Sequence, residues 1–112
     1  MANVLVNEIT KFLEIIADPI RLEIIRLMKD KPINAKEIEE ELEISQSYTS
    51  QQLKALKEAH LIDVRKEGTL KHYSIKNKKI FKVLSGIRDF VVEKEENKFA
   101  ELKKLDKLNA LF

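Results

Sequence analysis

Apolar residues recur at helical spacing near the start of the chain. Ile9, Phe12, Leu13 and Ile16 fall on one stripe and predict a first helix over roughly 5–17. The stretch "ADPIRLEIIRLMKDKP" predicts a second. Asp18 suits its N-cap, and Pro19 suits the first helical position, where a missing N–H costs nothing. Ile20, Ile24, Leu27 and Met28 supply its stripe, and Pro32 marks its end. "INAKEIEEELEI" predicts a short third helix, with Asn34 and Glu37 in a capping-box pattern and Ile38 and Leu42 facing inward. Ser45 is placed to cap a fourth helix running to about Ala59. Glu43 and Ile44 alone separate the third helix from that cap, a tight join close to helix-turn-helix spacing.

Beyond the fourth helix the period changes to two. Ile62, Val64 and Lys66 alternate with Asp63 and Arg65, and Tyr73 and Ile75 repeat the pattern after "KEGTLK", where Gly68 is the natural hinge. A β-hairpin of about 62–66 and 71–75 is expected. Helical spacing returns from Asn77: Ile80, Phe81, Leu84, Ile87, Val91, then Phe99, Leu102, Leu105 and on toward Phe112. A helix over 78–112 exceeds what a small core needs, and a surplus apolar stripe calls for a partner. The order is α-α-α-α-β-β-α: a mainly α fold with a small β-hairpin, on a winged helix-turn-helix plan. It is expected as a single domain over 1–112, with the helix-turn-helix in 34–59, the wing in 62–75, and a C-terminal dimerisation helix or helices in 78–112.

The fourth helix opens on a crowd of polar residues, "SQSYTSQQ". At 100° per residue Thr49, Leu53, Leu56 and His60 fall within about 60° of one another and define an inward face. Ser47, Gln51, Lys54 and Glu58 lie opposite, flanked by Tyr48 and Ser50, while Gln46 and Gln52 sit nearer the core edge. Short hydroxyl and amide side chains let a helix approach a DNA groove closely and bond to base edges, and Gln reads adenine in this way. A helix N-terminus also favours a nearby phosphate.

Charge strengthens this picture once it is divided along the chain. The net +2 conceals a first segment, 1–44, with 6 basic and 10 acidic residues, and a middle segment, 45–82, with 9 basic and 3 acidic. The last, 83–112, is balanced at 6 and 6. A local excess of +6 around the polar helix and hairpin attracts a polyanion. Cysteine is absent, so disulfides, thiolate metal sites and thiol switches are excluded. No apolar run approaches the ~18 residues of a membrane span. "MANVLVNEITKF" has no basic region before its apolar residues, so a cytoplasmic location is expected.

Three stretches resemble the ArsR/SmtB family of winged-helix transcriptional regulators. "ADPIRLEIIRLM" is similar to the family's Ala-Asp-Pro-x-Arg-Leu opening of the second helix. "ISQSYTSQQLKALKEAHLI" is similar to its recognition-helix signature, and "VRKEGTLKHYSI" to its wing. The resemblance covers about 16–76. It implies that Ser47, Tyr48, Ser50 and Gln51 contact bases and phosphates with Lys54 nearby, beside Ser45 and Gln46 at the helix start. Arg65, Lys66, Thr69 and Lys71 would set the wing on the adjacent backbone or minor groove. It also implies a homodimer through the first and last helices.

Departures from the family pattern are informative. His60 stands where Gly is common, at the turn out of the recognition helix, and is expected to be structural. His72, on the hairpin, is expected to form a hydrogen bond or face phosphate rather than hold a metal. The family's thiol ligands would fall near Asn34 and Lys36, neither a ligand for a soft metal, and no His follows Tyr73. No metal site and no cofactor are therefore expected.

The leading expectation is a homodimeric, sequence-specific regulator binding double-stranded DNA, acting as a repressor, with no effector identifiable. An alternative is a winged-helix protein-interaction module of the transcription apparatus, docking through the acidic third helix at Glu37, Glu39, Glu40, Glu41 and Glu43. An enzyme is not expected, since no Gly-rich phosphate loop and no convergent nucleophile–base set is evident.

Overall fold

The computed structural model describes residues 2–104 and 112. Four helices come first: α1 Ala2–Ile16, α2 Pro19–Leu27, α3 Ala35–Leu42 and α4 Gln46–Glu58. An antiparallel hairpin follows, β1 Ile62–Glu67 and β2 Leu70–Ile75, then α5 Ile80–Lys94 and α6 Glu96–Lys104. This is the expected winged helix-turn-helix order. Contacts divide it into two compact units, one up to Lys76 and one from Asn77.

Side-chain caps set the helix starts in the first unit. Asp18 Oδ1 accepts from the N–H groups of Ile20 (2.8 Å) and Arg21 (3.2 Å), with Pro19 directly after it. Asn34 Oδ1 accepts from Glu37 N–H at 2.9 Å, and Glu37 returns the bond by accepting from Asn34 N–H at 3.1 Å. Ser45 Oγ accepts from Tyr48 N–H at 3.1 Å. Each satisfies donors that a helix start would otherwise leave open.

The core of this unit holds Ile24, Ile25, Met28, Ile38, Leu53 and Leu56 with Ile62 and Ile75 from the hairpin base. On α2 the buried set is Ile24, Ile25 and Met28, while Ile20 and Leu27 are half-buried. Because α2 packs against α1, α3 and α4, its covered arc is wider than a one-sided stripe and takes in Ile25.

The hairpin pairs Ile62 with Ile75 through Glu67 with Leu70, one residue further into the turn than the spacing suggests. Only Gly68 and Thr69 remain in the loop, and Gly68 adopts φ +62°, a conformation open to Gly at little cost. A third segment bridges to β2: Ile33 N–H donates to Tyr73 O (2.9 Å) and Tyr73 N–H to Ile33 O (2.8 Å). These bonds tie the α2–α3 connection to the wing.

Helix α1 starts earlier than expected and is mostly uncovered. Of its predicted stripe Ile16 is buried and Phe12 half-buried, whereas Ile9 and Leu13 are exposed. In the second unit Ile80, Phe81, Leu84 and Val92 are buried. The helical stretch expected from residue 78, as one helix or more, is divided into two among the described residues. Asn77 Oδ1 accepts from Lys79 N–H (3.0 Å), which delays the start, and Glu95 at φ −112°, ψ 43° separates α5 from α6. The break falls in "EKEEN", where the apolar stripe lapses between Val92 and Phe99. Leu105 and the remainder of the stretch toward Phe112 lie outside the described residues.

Candidate nucleic-acid interface

Helix α4 sits on the core through Thr49, Gln52, Leu53 and Leu56, all buried. The Thr49 hydroxyl donates to Ser45 O at 2.8 Å, so its burial leaves no polar atom open. The opposite face carries Ser47, Ser50, Gln51 and Lys54, all exposed, with Tyr48 36% exposed. Ser45 and Gln46 are exposed at the helix start, and the Ser45 and Ser47 hydroxyls lie 3.4 Å apart. Lys54 is 4.0 Å from Glu58 in a solvated pair that leaves its charge accessible.

One residue departs from the helical wheel. His60 is not on the inward face, because α4 ends at Glu58 and His60 lies beyond its cap, exposed. Its φ is +60°; its N–H donates to Lys57 O (3.0 Å) while Leu61 N–H donates to Leu56 O (3.1 Å). This is the Schellman arrangement in which Gly is usual, so the structural role expected for His60 is what the backbone shows. The turn before α4 has a counterpart in Glu43, at φ 53°, ψ 48°, with Ile44 N–H donating to Glu39 O at 3.2 Å. Nothing in the sequence signals this, since Glu is not a common left-handed residue.

The wing residues do not share one face. Successive side chains of a strand point to opposite sides. Lys66 and Lys71 are direct partners in the register and lie on the Val64–Tyr73 side. Arg65 pairs with His72 on the other side, along with Glu67 and Leu70. There Glu67 lies against both, at 3.1 Å from Arg65 and 3.5 Å from His72 Nε2. Thus Lys66 and Lys71 are exposed and adjacent, Thr69 occupies the tip, and Arg65 is partly neutralised. Like charges placed directly across a hairpin destabilise it, so the Lys66–Lys71 pair has a cost that an anion would relieve.

Residues 18–64 match the model of the bacterial regulatory protein, arsR family. The chain carries an ArsR-family helix-turn-helix domain. Solved structures agree with it. Reduced HlyU from Vibrio cholerae superposes with a TM-score of 0.70 at 26% identity, over 77% of this chain and 94% of HlyU. Rv0081 of Mycobacterium tuberculosis gives 0.77 at 24%, over 84% and 95%. Mb0332 of Mycobacterium bovis, described as a homodimeric winged helix-turn-helix DNA-binding domain, gives 0.73 at 22%, over 81% and 84%. The latter two likenesses concern the fold. No curated protein sequence matches the chain. With the domain model and the neighbours agreeing, residues 18–64 form an arsR-type helix-turn-helix within a winged-helix fold, that of a DNA-binding transcriptional regulator and not of an enzyme.

The ArsR-family domain contains a polar linkage that spacing alone does not announce. Arg21 Nε donates to Ile15 O at 2.6 Å, and its terminal nitrogen donates to Gln52 Oε1 at 3.0 Å. The same nitrogen lies 3.8 Å from Asp18 Oδ2. One guanidinium thus joins the end of α1, the cap of α2 and the buried amide of α4. The only hint in the sequence is the i, i+3 spacing of Asp18 and Arg21 in "ADPIRL".

The family's metal chemistry fits these residues poorly. Asn34, where a thiol ligand would fall, has its side-chain oxygen committed to the α3 cap, and Lys36 is an exposed cation. Among the described residues, no group of three or more His, Cys, Asp or Glu side chains is arranged to hold a metal ion. Glu37, Glu40, Glu41 and Glu43 instead line an open hollow with Leu27, Lys31 and Ile33. No helix among the described residues is long and apolar enough to cross a membrane.

Proposed function

We propose that the chain is a homodimer that binds a specific double-stranded DNA site and represses transcription there, without a metal-sensing site. The observation that carries this is the two-faced α4: Thr49, Gln52, Leu53 and Leu56 hold it down while Ser47, Tyr48, Ser50 and Gln51 stand outward in its first two turns. These four would read base edges and phosphates, with Ser45 and Gln46 at the positive helix end and Lys54 on the backbone. On the wing, Lys66, Thr69 and Lys71 would grip the adjacent phosphates. Arg65 would join them only where its pair with Glu67 opens.

Dimerisation is supported by apolar faces left in solvent on α1 (Val4, Leu5, Val6, Ile9, Leu13) and on α5 (Val83, Ile87, Phe90, Val91). The homodimeric Mb0332 domain of similar fold supports it too. Two recognition helices would then enter successive major grooves about 34 Å apart on a near-palindromic site. A dimer so placed excludes other proteins from the covered base pairs, which is the basis for repression.

Electrophoretic shifts on genomic fragments, including the chain's own promoter, test the reading. A protected fragment at moderate salt is expected; none would sink it. Gln51→Ala should relax sequence preference. Lys71→Ala should weaken binding to every sequence and lower the salt slope by roughly one. Added Zn²⁺ should leave affinity for the protected fragment unchanged, and a marked loss with Zn²⁺ would contradict the metal-free reading.

A further inference from the structure

We propose that Arg21 and Gln52 are positioning residues that fix the rotation of the recognition helix about its own axis, and so set sequence specificity without touching DNA. The role presupposes the DNA contact proposed above. Thr49, Leu53 and Leu56 seat α4 by packing, which is non-directional and tolerates a small roll of the helix. The Arg21–Gln52 hydrogen bond is directional and does not.

Arg21 is well suited to the task. Its guanidinium is planar and always charged, so it holds its donors in a fixed fork. The Nε donor is anchored on Ile15 O at the last turn of α1, and Asp18 lies beside the terminal nitrogen. The fork is therefore fixed before it reaches Gln52. Gln52, at 8% exposure, has no solvent to turn to if the bond is lost.

The lever is short but sufficient. Gln51 precedes Gln52 by one residue, about 100° around the helix, and its functional group stands roughly 6 Å from the axis. A roll of about 10° would shift that group by about 1 Å, enough to spoil a base-edge hydrogen bond. Phosphate contacts made by flexible lysines would survive the same roll. The linkage therefore separates specificity from affinity.

Binding titrations of wild type, Gln52→Leu, Gln52→Glu and Arg21→Lys against the preferred duplex and a scrambled one, over a salt series, test this. Gln52→Leu and Arg21→Lys should each lose about tenfold or more of the specific-to-nonspecific ratio. Nonspecific affinity and salt slope should hold. Gln52→Glu keeps an acceptor for Arg21 and should retain the ratio within about twofold, even if its charge weakens binding to both duplexes alike. Circular dichroism and melting establish that each variant is folded; where Gln52→Leu melts too low, Arg21→Lys carries the comparison. An unchanged ratio in a folded variant would overturn the proposal, as would parallel loss on both duplexes in Gln52→Leu and Arg21→Lys. A wild type without a preferred duplex would overturn the DNA reading itself, and that result precedes any variant.

Discussion

Two non-glycine residues with left-handed backbone bracket the recognition helix, Glu43 before it and His60 after it. A side chain in that conformation costs of the order of 1–2 kcal/mol, and both are held there by bonds from neighbouring N–H groups to the preceding helix carbonyls. His60→Gly should therefore stabilise the fold by about 1 kcal/mol, measured by urea unfolding, because relief of strain exceeds the added chain entropy. Destabilisation would mean that the imidazole itself makes an interaction worth more than the strain. The capping residues Asp18, Asn34 and Ser45 were legible in the sequence because a cap is a local bond within three residues. Glu43 and the Arg21–Gln52 bond were not. The first is imposed by the geometry of two closely joined helices, and the second spans 31 positions.

Among the elements, the wing shows most clearly what alternation alone conveys. The hairpin and its Gly68 hinge followed from a period of two, but register did not, and register decides which basic residues stand together. It sets Lys66 against Lys71 and turns Arg65 to the side of Glu67 and His72. Lys71→Glu should stabilise the hairpin by a few tenths of a kcal/mol by converting a like-charge pair into an opposite one. The same change should weaken DNA binding severely. Melting curves and binding titrations on one sample would check this, and a gain in both would remove the wing from the interface. Helix α4 was read more completely, since its buried and exposed arcs follow directly from 3.6-residue periodicity. The misplacement of His60 on its inward arc came from extending that period past the end of the helix. The position of the break at Glu95 is not legible in the pattern, because the stripe on either side is helical and lapses only across "EKEEN".

For the whole molecule, the exposed apolar side chains of α1 and α5 are the basis for the proposed dimer. Phe90, 68% exposed, is the largest of these side chains and the most costly to leave in water. Sedimentation at micromolar concentration should show a dimer, and Phe90→Asp should shift it toward monomer; an unchanged dimer would place the interface elsewhere. Loss of the dimer should also cost affinity for the full site far more than for a half-site, because the two recognition helices no longer bind as a unit. The most direct test of the central claim is a selection of bound duplexes from a random-sequence pool with the wild-type chain at moderate salt. The structure of α4, its polar outward face and its expected pairing predict enrichment of an inverted repeat with half-site centres about 10 base pairs apart. Recovery of sequences with no shared motif, at any salt that permits binding, would contradict it.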